Sequence, residues 1–208
     1  MGSDEIWEKA TNALENALKK KNMKYKINAG DGAFYGPKID FHVKDALGRT
    51  WQCATIQVDF SMPERFDLYY VGEDDKKHRP VMLHRVLFGS VERFLGILIE
   101  HYAGKFPLWL SPIQARVFAI NDEFNAEAEK ICQRLRKEKI RADFDSRKET
   151  IGRKVRDAEL EKIPYTITIG KKEIDSGKLA VRDREQKISG LSFEEFVGKL
   201  KKEIEEKK

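Results

Sequence analysis

Between Trp51 and Phe60 short polar side chains alternate with apolar ones. Thr55, Gln57 and Asp59 fall on one side of an extended chain, and Ala54, Ile56, Val58 and Phe60 on the other. A row of hydroxyl, amide and carboxylate groups at such spacing suits a platform for a polar substrate; an ordinary strand with one solvated face has the same pattern. Gln52 and Gln57 differ by an odd number of positions, so a regular strand points them to opposite faces. Either a bulge re-aims one of them or one has a supporting role. His84 ends the apolar run Val81-Met82-Leu83, where a histidine is ordinarily a hydrogen-bonded core residue. Arg93 lies beside the apolar stripe of a helix. On pattern alone it is a surface arginine, although its planar, permanently charged guanidinium is suited to phosphate.

These residues need elements to hold them. Trp7, Ala10, Leu14, Ala17 and Leu18 recur at helical spacing, with Ser3 or Asp4 as the cap, and Gly30-Asp31-Gly32 follows as a loop. Ile39, Phe41 and Val43 alternate with Lys38, Asp40, His42 and Lys44, which predicts a strand. The turn Ala46-Leu47-Gly48-Arg49 leads into the strand Trp51 to Phe60. Residues 72–80 read as a charged, solvated turn, Val81 to His84 as a short strand, and Val91, Phe94, Leu95, Leu98 and Ile99 as a helix stripe. The two prolines of Phe106-Pro107-Leu108-Trp109-Leu110-Ser111-Pro112 mark a domain boundary, placing one domain over 1–108 and another over 109–208. Beyond it strands at 117–120, 140–144, 165–169 and 178–182 alternate with helices at 124–137 and 151–162. A last helix opens at Ser192 with Glu195 as a capping box. That order predicts a small sheet with a parallel portion and helices packed against it.

The bulk composition narrows the classes. Charged residues make up 36% and no apolar run reaches the length of a membrane helix, so a soluble protein is expected. The two cysteines form no CxxC pair, and no signal-peptide stretch follows the start, so a reducing cytoplasm is the expected compartment. The net charge of +5 is a mild inducement to nucleic acid and no proof of it.

Four stretches together resemble threonyl-tRNA synthetases: Asp31-Gly-Ala-Phe-Tyr-Gly-Pro-Lys-Ile-Asp40, Trp51-Gln-Cys-Ala-Thr-Ile-Gln-Val-Asp-Phe60, Pro80-Val-Met-Leu-His-Arg-Val-Leu-Phe-Gly-Ser-Val-Glu-Arg-Phe94 and Phe106-Pro-Leu-Trp-Leu-Ser-Pro112. The third is similar to motif 3 of class II synthetases. The likeness continues through Gly170-Lys-Lys-Glu-Ile-Asp-Ser-Gly177 and covers essentially the whole chain.

The resemblance implies an α/β (α+β) chain: part of a class II antiparallel-sheet catalytic domain, then a small mixed-sheet anticodon-binding domain. It implies threonine activation with ATP and Mg²⁺ and transfer to tRNA(Thr), by a cytoplasmic homodimer with no membrane part. Lys38 and Arg93 would be catalytic, Arg93 lying against adenine and reaching the γ-phosphate. Tyr35, Gln52, Thr55, Gln57 and Ser90 would line threonine and the adenylate, and Asp59 would orient neighbours. His84 would be one of three protein ligands of a zinc ion that leaves a position open for substrate. Such a metal selects threonine over valine, an isostere that an apolar pocket separates poorly. In the second domain Glu173 and Arg182 would read anticodon bases, with Arg147 close by. The family's editing domain, motifs 1 and 2 and the other two zinc ligands are not in these 208 residues, so the polypeptide alone is expected to be inactive. The rival reading is an RNA-binding accessory protein with a non-catalytic synthetase remnant.

Overall fold

In the computed structural model, which describes residues 2–207, the chain divides into two compact units, one through Leu98 and one from Ile99.

The first unit opens with α1 (Asp4–Lys20). Ser3 caps it, its Oγ accepting from Ile6 N at 3.4 Å, and acidic residues in its first turn and basic ones in its last suit the helix dipole. Three antiparallel strands follow, β1 (Lys38–Lys44), β2 (Thr50–Asp59) and, further on, β5 (Met82–Val86), in the order β1-β2-β5. The β1–β2 turn is built on Asp45. Its Oδ1 accepts from Leu47 N and Arg49 N, both at 2.9 Å, and its Oδ2 from Trp51 Nε1 at 2.8 Å. Although burial opposes it, these bonds push its carboxyl down to about 2. Between β2 and β5 lie α2 (Ser61–Arg65) and a two-stranded hairpin, β3 (Tyr70–Val71) with β4 (Lys77–His78). The charged stretch 72–80, expected as a solvated turn, therefore holds a short strand: its tip is the turn, and Lys77 and His78 pair with Val71 and Tyr70. After β5 comes α3 (Val91–Tyr102).

The second unit runs β6 (Ala115–Ala119), a 3₁₀ turn (Asp122–Phe124), α4 (Asn125–Lys137), β7 (Ala142–Asp145), α5 (Ile151–Leu160) and β8 (Tyr165–Ile169). It ends with α6 (Lys171–Ser176), β9 (Leu179–Arg182), β10 (Ile188–Leu191) and α7 (Phe193–Glu205). The sheet order is β10-β9-β8-β6-β7, with β7, β6 and β8 parallel and β9 and β10 antiparallel, the mixed sheet expected from the alternation. Every residue of β6 is buried, as a central strand covered on both faces requires. Val117 joins a core with Cys132, Leu135, Phe196 and Leu200, while Phe118 packs with Ala158 and Ile163. The capping box of Ser192 and Glu195 is present at the start of α7. α6 and β10 are absent from the sequence reading; each is too short to show a period.

Candidate functional site

The polar side chains of the first unit gather on one face of its three-stranded sheet. The register puts Lys38 opposite Gln57 and Gln57 opposite His84, so a cation, an amide and an imidazole form one row across β1, β2 and β5. Tyr35 joins them from the preceding loop, its hydroxyl donating to Gln57 Oε1 at 3.2 Å. That loop reaches the sheet because residue 36 is glycine: a Cβ there would stand 2.0 Å from the Val58 carbonyl oxygen. Among the described residues Gln57 Nε2 is a buried donor with no hydrogen-bond partner.

The parity conflict between Gln52 and Gln57 is resolved by a bulge. Phe41 pairs with Ala54 but His42 pairs with Gln52, leaving Cys53 as the extra residue. Gln52 is thereby turned to the Thr55 side. Asp40 Oδ1 accepts from Gln52 Nε2 at 2.6 Å and from Thr55 Oγ1 at 2.7 Å, and its Oδ2 lies 2.7 Å from Lys38 Nζ. The Asp40 carboxylate raises the Lys38 amine above its usual range, so the lysine stays charged. Asp40 is the residue that the sequence reading missed. The available signal was its i, i+2 placement beside Lys38.

Asp59 is buried and holds the end of the row. Its Oδ1 accepts from Ser61 N at 2.7 Å and Met62 N at 3.0 Å, and its Oδ2 lies 2.9 Å from His84 Nε2. Burial works to raise its carboxyl, but the bonds from Met62, His84 and Ser61 win and hold it below the usual carboxylate range. A carboxylate can only accept here, so Nε2 carries a proton, and in the neutral imidazole Nδ1 is then the nitrogen with the free lone pair.

α3 supplies the positive charge. Arg93 Nη1 donates to the Gln52 carbonyl at 3.3 Å, and its guanidinium carbon is 5.8 Å from the Trp51 ring centroid. Ser90 Oγ accepts from Arg93 N at 3.3 Å and donates to Glu92 Oε2 at 2.8 Å. Gly89, at φ +66°, lets the backbone pass the bulge, since a Cβ would stand 2.8 Å from the Cys53 carbonyl oxygen. Lys38, Gln57 and His84 thus share one row, Gln52 and Thr55 share the Asp40 carboxylate, and Arg93 is held at Gln52. Together they offer two cations and unspent polar groups to an anionic, hydrogen-bonding ligand. As a metal site the set is incomplete: no three His, Cys, Asp or Glu side chains among the described residues converge to hold an ion.

In the second unit the three expected residues sit on different elements. Arg147, just after β7, is bonded to Asp145 through Nε (3.0 Å) and Nη2 (2.6 Å), and to Asp157 Oδ2 through Nη1 (2.9 Å). Glu173 lies in the first turn of α6, and its Oε2 accepts from Gly170 N at 3.0 Å, so it caps a helix. Arg182 ends β9 opposite Thr166, near the start of β8. Gly170 is four residues further along, roughly 13 Å at strand rise. Arg182 Nη1 donates to Gln186 Oε1 at 2.9 Å, and Gln186 is another residue that the sequence reading did not single out.

Known proteins match along the whole chain. The model of the tRNA synthetase class II core domain (G, H, P, S and T) matches residues 3–102, and the anticodon binding domain model matches residues 114–203. A threonine–tRNA ligase of Clostridium tetani is 59% identical over 206 residues, which is 99% of this chain and 32% of the relative. One of Carboxydothermus hydrogenoformans is 58% identical over 209 residues, 100% of this chain and 33% of the relative. The chain therefore spans about a third of the length of the curated relatives it matches. The crystal structure of the RNA binding domain of threonyl-tRNA synthetase from Cryptosporidium parvum Iowa II superposes with a TM-score of 0.89 at 39% identity, covering 97% of this chain and 52% of that one. A putative threonyl-tRNA synthetase from Aeropyrum pernix gives 0.74 at 32% identity, covering 99% of this chain and 51% of that one.

Proposed function

We propose, for a chain that belongs to the threonyl-tRNA synthetase family, that its first unit supplies half of a threonine-activating site and its second unit grips the anticodon arm of tRNA(Thr). The observation that carries the first part is the buried, unpartnered Nε2 of Gln57, set between Lys38 and His84. A buried amide donor without an acceptor costs about 1–3 kcal/mol, and a bound ligand oxygen removes that cost. Threonine and its adenylate bring such oxygens. Tyr35 fixes the amide through its other end, so the donor is aimed before ligand arrives.

In this reading Lys38 offsets charge on the carboxylate or α-phosphate, with Asp40 keeping its amine protonated and in place. Arg93 takes the adenine face and the γ-phosphate of MgATP, while Gln52, Thr55 and Ser90 line the nucleotide. His84 would be a ligand from this chain to the family's zinc, which would anchor the amino and hydroxyl groups of threonine. The described residues do not bring three His, Cys, Asp or Glu side chains together there, so further ligands would have to come from outside them. Keeping Tyr35, Lys38, Gln57, His84 and Arg93 in working geometry favours a catalytic segment over an accessory RNA-binding remnant. The whole protein would work in the cytoplasm as a homodimer; no helix among the described residues is long and apolar enough to cross a membrane.

The test is threonine-dependent ATP–pyrophosphate exchange in a polypeptide of the relatives' length containing this sequence. Gln57→Ala should raise KM for threonine by on the order of 10-fold or more. The 208-residue chain alone should show no exchange; robust exchange by it would overturn the division of the site.

A further inference from the structure

A cleft of about 200 Å³ opens beside Arg182, lined by Lys105, Glu159, Lys162, Thr166 and Gln186 among others. It is smaller than the roughly 300–1,000 Å³ of a small-molecule site, which limits a guest to a group of about one ring. Gln186 stands at φ +68° in the β9–β10 turn, a left-handed position where glycine is the favoured residue. The turn needs nothing from the glutamine side chain. Asp183 N donates to Lys187 O at 3.2 Å, and Asp183 Oδ1 accepts from Glu185 N at 2.9 Å and Lys187 N at 3.0 Å. What the side chain does is accept from Arg182 Nη1 at 2.9 Å. Lys162, also in the lining, is left-handed at φ +60° because it closes α5, with its N donating to Glu159 O and Ile163 N to Ala158 O, both at 3.0 Å; its carbonyl accepts from Arg184 Nε at 3.1 Å. Arg147 has two carboxylates spent on it, whereas Arg182 is held by a neutral amide and keeps its charge for a ligand.

We propose that Gln186 is a positioning residue: it accepts the cost of a left-handed backbone in order to hold the Arg182 guanidinium across the cleft, where its remaining N–H groups meet the edge of one unstacked RNA base. This rests on reading the second unit as anticodon-binding. The test uses the 208-residue chain, a threonine-tRNA anticodon stem-loop and stem-loops with each anticodon base replaced, followed by fluorescence anisotropy. Gln186→Gly suits the backbone and Gln186→Asn tolerates it but is a methylene too short, so both should keep or raise Tm. Both should weaken the cognate stem-loop roughly 2- to 12-fold, the effect of freeing one long side chain. They should lose discrimination at the same base as Arg182→Ala, and add nothing on top of it. If Arg182→Ala is impaired while Gln186→Gly binds and discriminates like the parent, the positioning role is wrong. If Arg182→Ala itself binds normally, the anticodon assignment of Arg182 falls, and this proposal with it.

Discussion

His84 shows how far single residues can be read. In the sequence it is one histidine at the end of an apolar run; only the fold brings Asp59, 25 positions earlier, to its Nε2. That contact leads to a test at one atom. Asp59→Asn keeps the shape, and its carboxamide oxygen can still accept from Ser61 N and Met62 N. Its NH₂ then faces His84, so Nε2 must become the acceptor and the proton moves to Nδ1. With the ring in its neutral form, the ¹⁵N shifts of His84 should exchange their protonated and unprotonated positions in the variant. An unchanged pattern would show that Asp59 does not set the tautomer. Arg93 is legible differently. Its type and its place beside a helix stripe are in the sequence, but its contacts at Gln52 and Trp51 depend on the Cys53 bulge and on Gly89. In a polypeptide of the relatives' length, Arg93→Ala should weaken ATP use by on the order of 3 kcal/mol, with threonine KM moved far less. Equal losses for both substrates in steady-state kinetics would argue for a purely structural arginine.

At the scale of elements, periodicity found the long pieces and missed those that carry no period. α1, β1, β2 and α3 follow their apolar spacing, and α7 starts at its capping box. α6, six residues long, shows no period, so no element is expected at Glu173, which caps this helix. The bulge was foreseen as one of two options from the spacing of Gln52 and Gln57, but its site at Cys53 was not, because a bulge is fixed by pairing across strands. The β1–β2 turn yields a pH prediction. The Asp45 carboxyl is pushed down to about 2 in the fold, against about 3.9 in an unfolded chain. A depressed acid stabilises the fold above its unfolded value, and that contribution fades as pH falls through the folded one. Asp45→Asn should therefore lower Tm at neutral pH, and the gap from the parent should close as pH falls from about 4 towards 2. A gap that stays constant on acidification would show that the turn depends on shape and not on the charge.

The molecule as a whole is uneven in how it hides apolar surface. The second unit has a continuous core around Val117, Leu135, Ile167, Phe196 and Leu200, all buried. In the first unit Cys53, Val58 and Ile97 are the buried hydrophobic residues of note among those described. Leu83 and Val86 on β5 remain exposed, as do Phe88, Val91 and Leu95 after it. A strand edge of that kind is prone to pair with other chains. Residues 109–208 on their own should fold cooperatively, whereas residues 1–108 should aggregate or stay partly unfolded. The cut at 109 still carries a cost. Leu108 is buried in the second core, and its carbonyl accepts from Gln114 Nε2 at 2.9 Å. The Phe106 carbonyl accepts from Arg184 Nη1 at 2.6 Å, on the segment that frames the Arg182 cleft. A polypeptide starting at residue 99 should therefore melt higher than one starting at 109, by an amount in keeping with a cost on the order of 4 kcal/mol or more for a lost buried leucine and two orphaned donors. It should also bind the anticodon stem-loop more tightly, because Arg184 keeps its anchor. Calorimetric scans of the two pieces decide this. Equal melting temperatures would show that the Phe106–Leu108 segment rests on the second unit without supporting it.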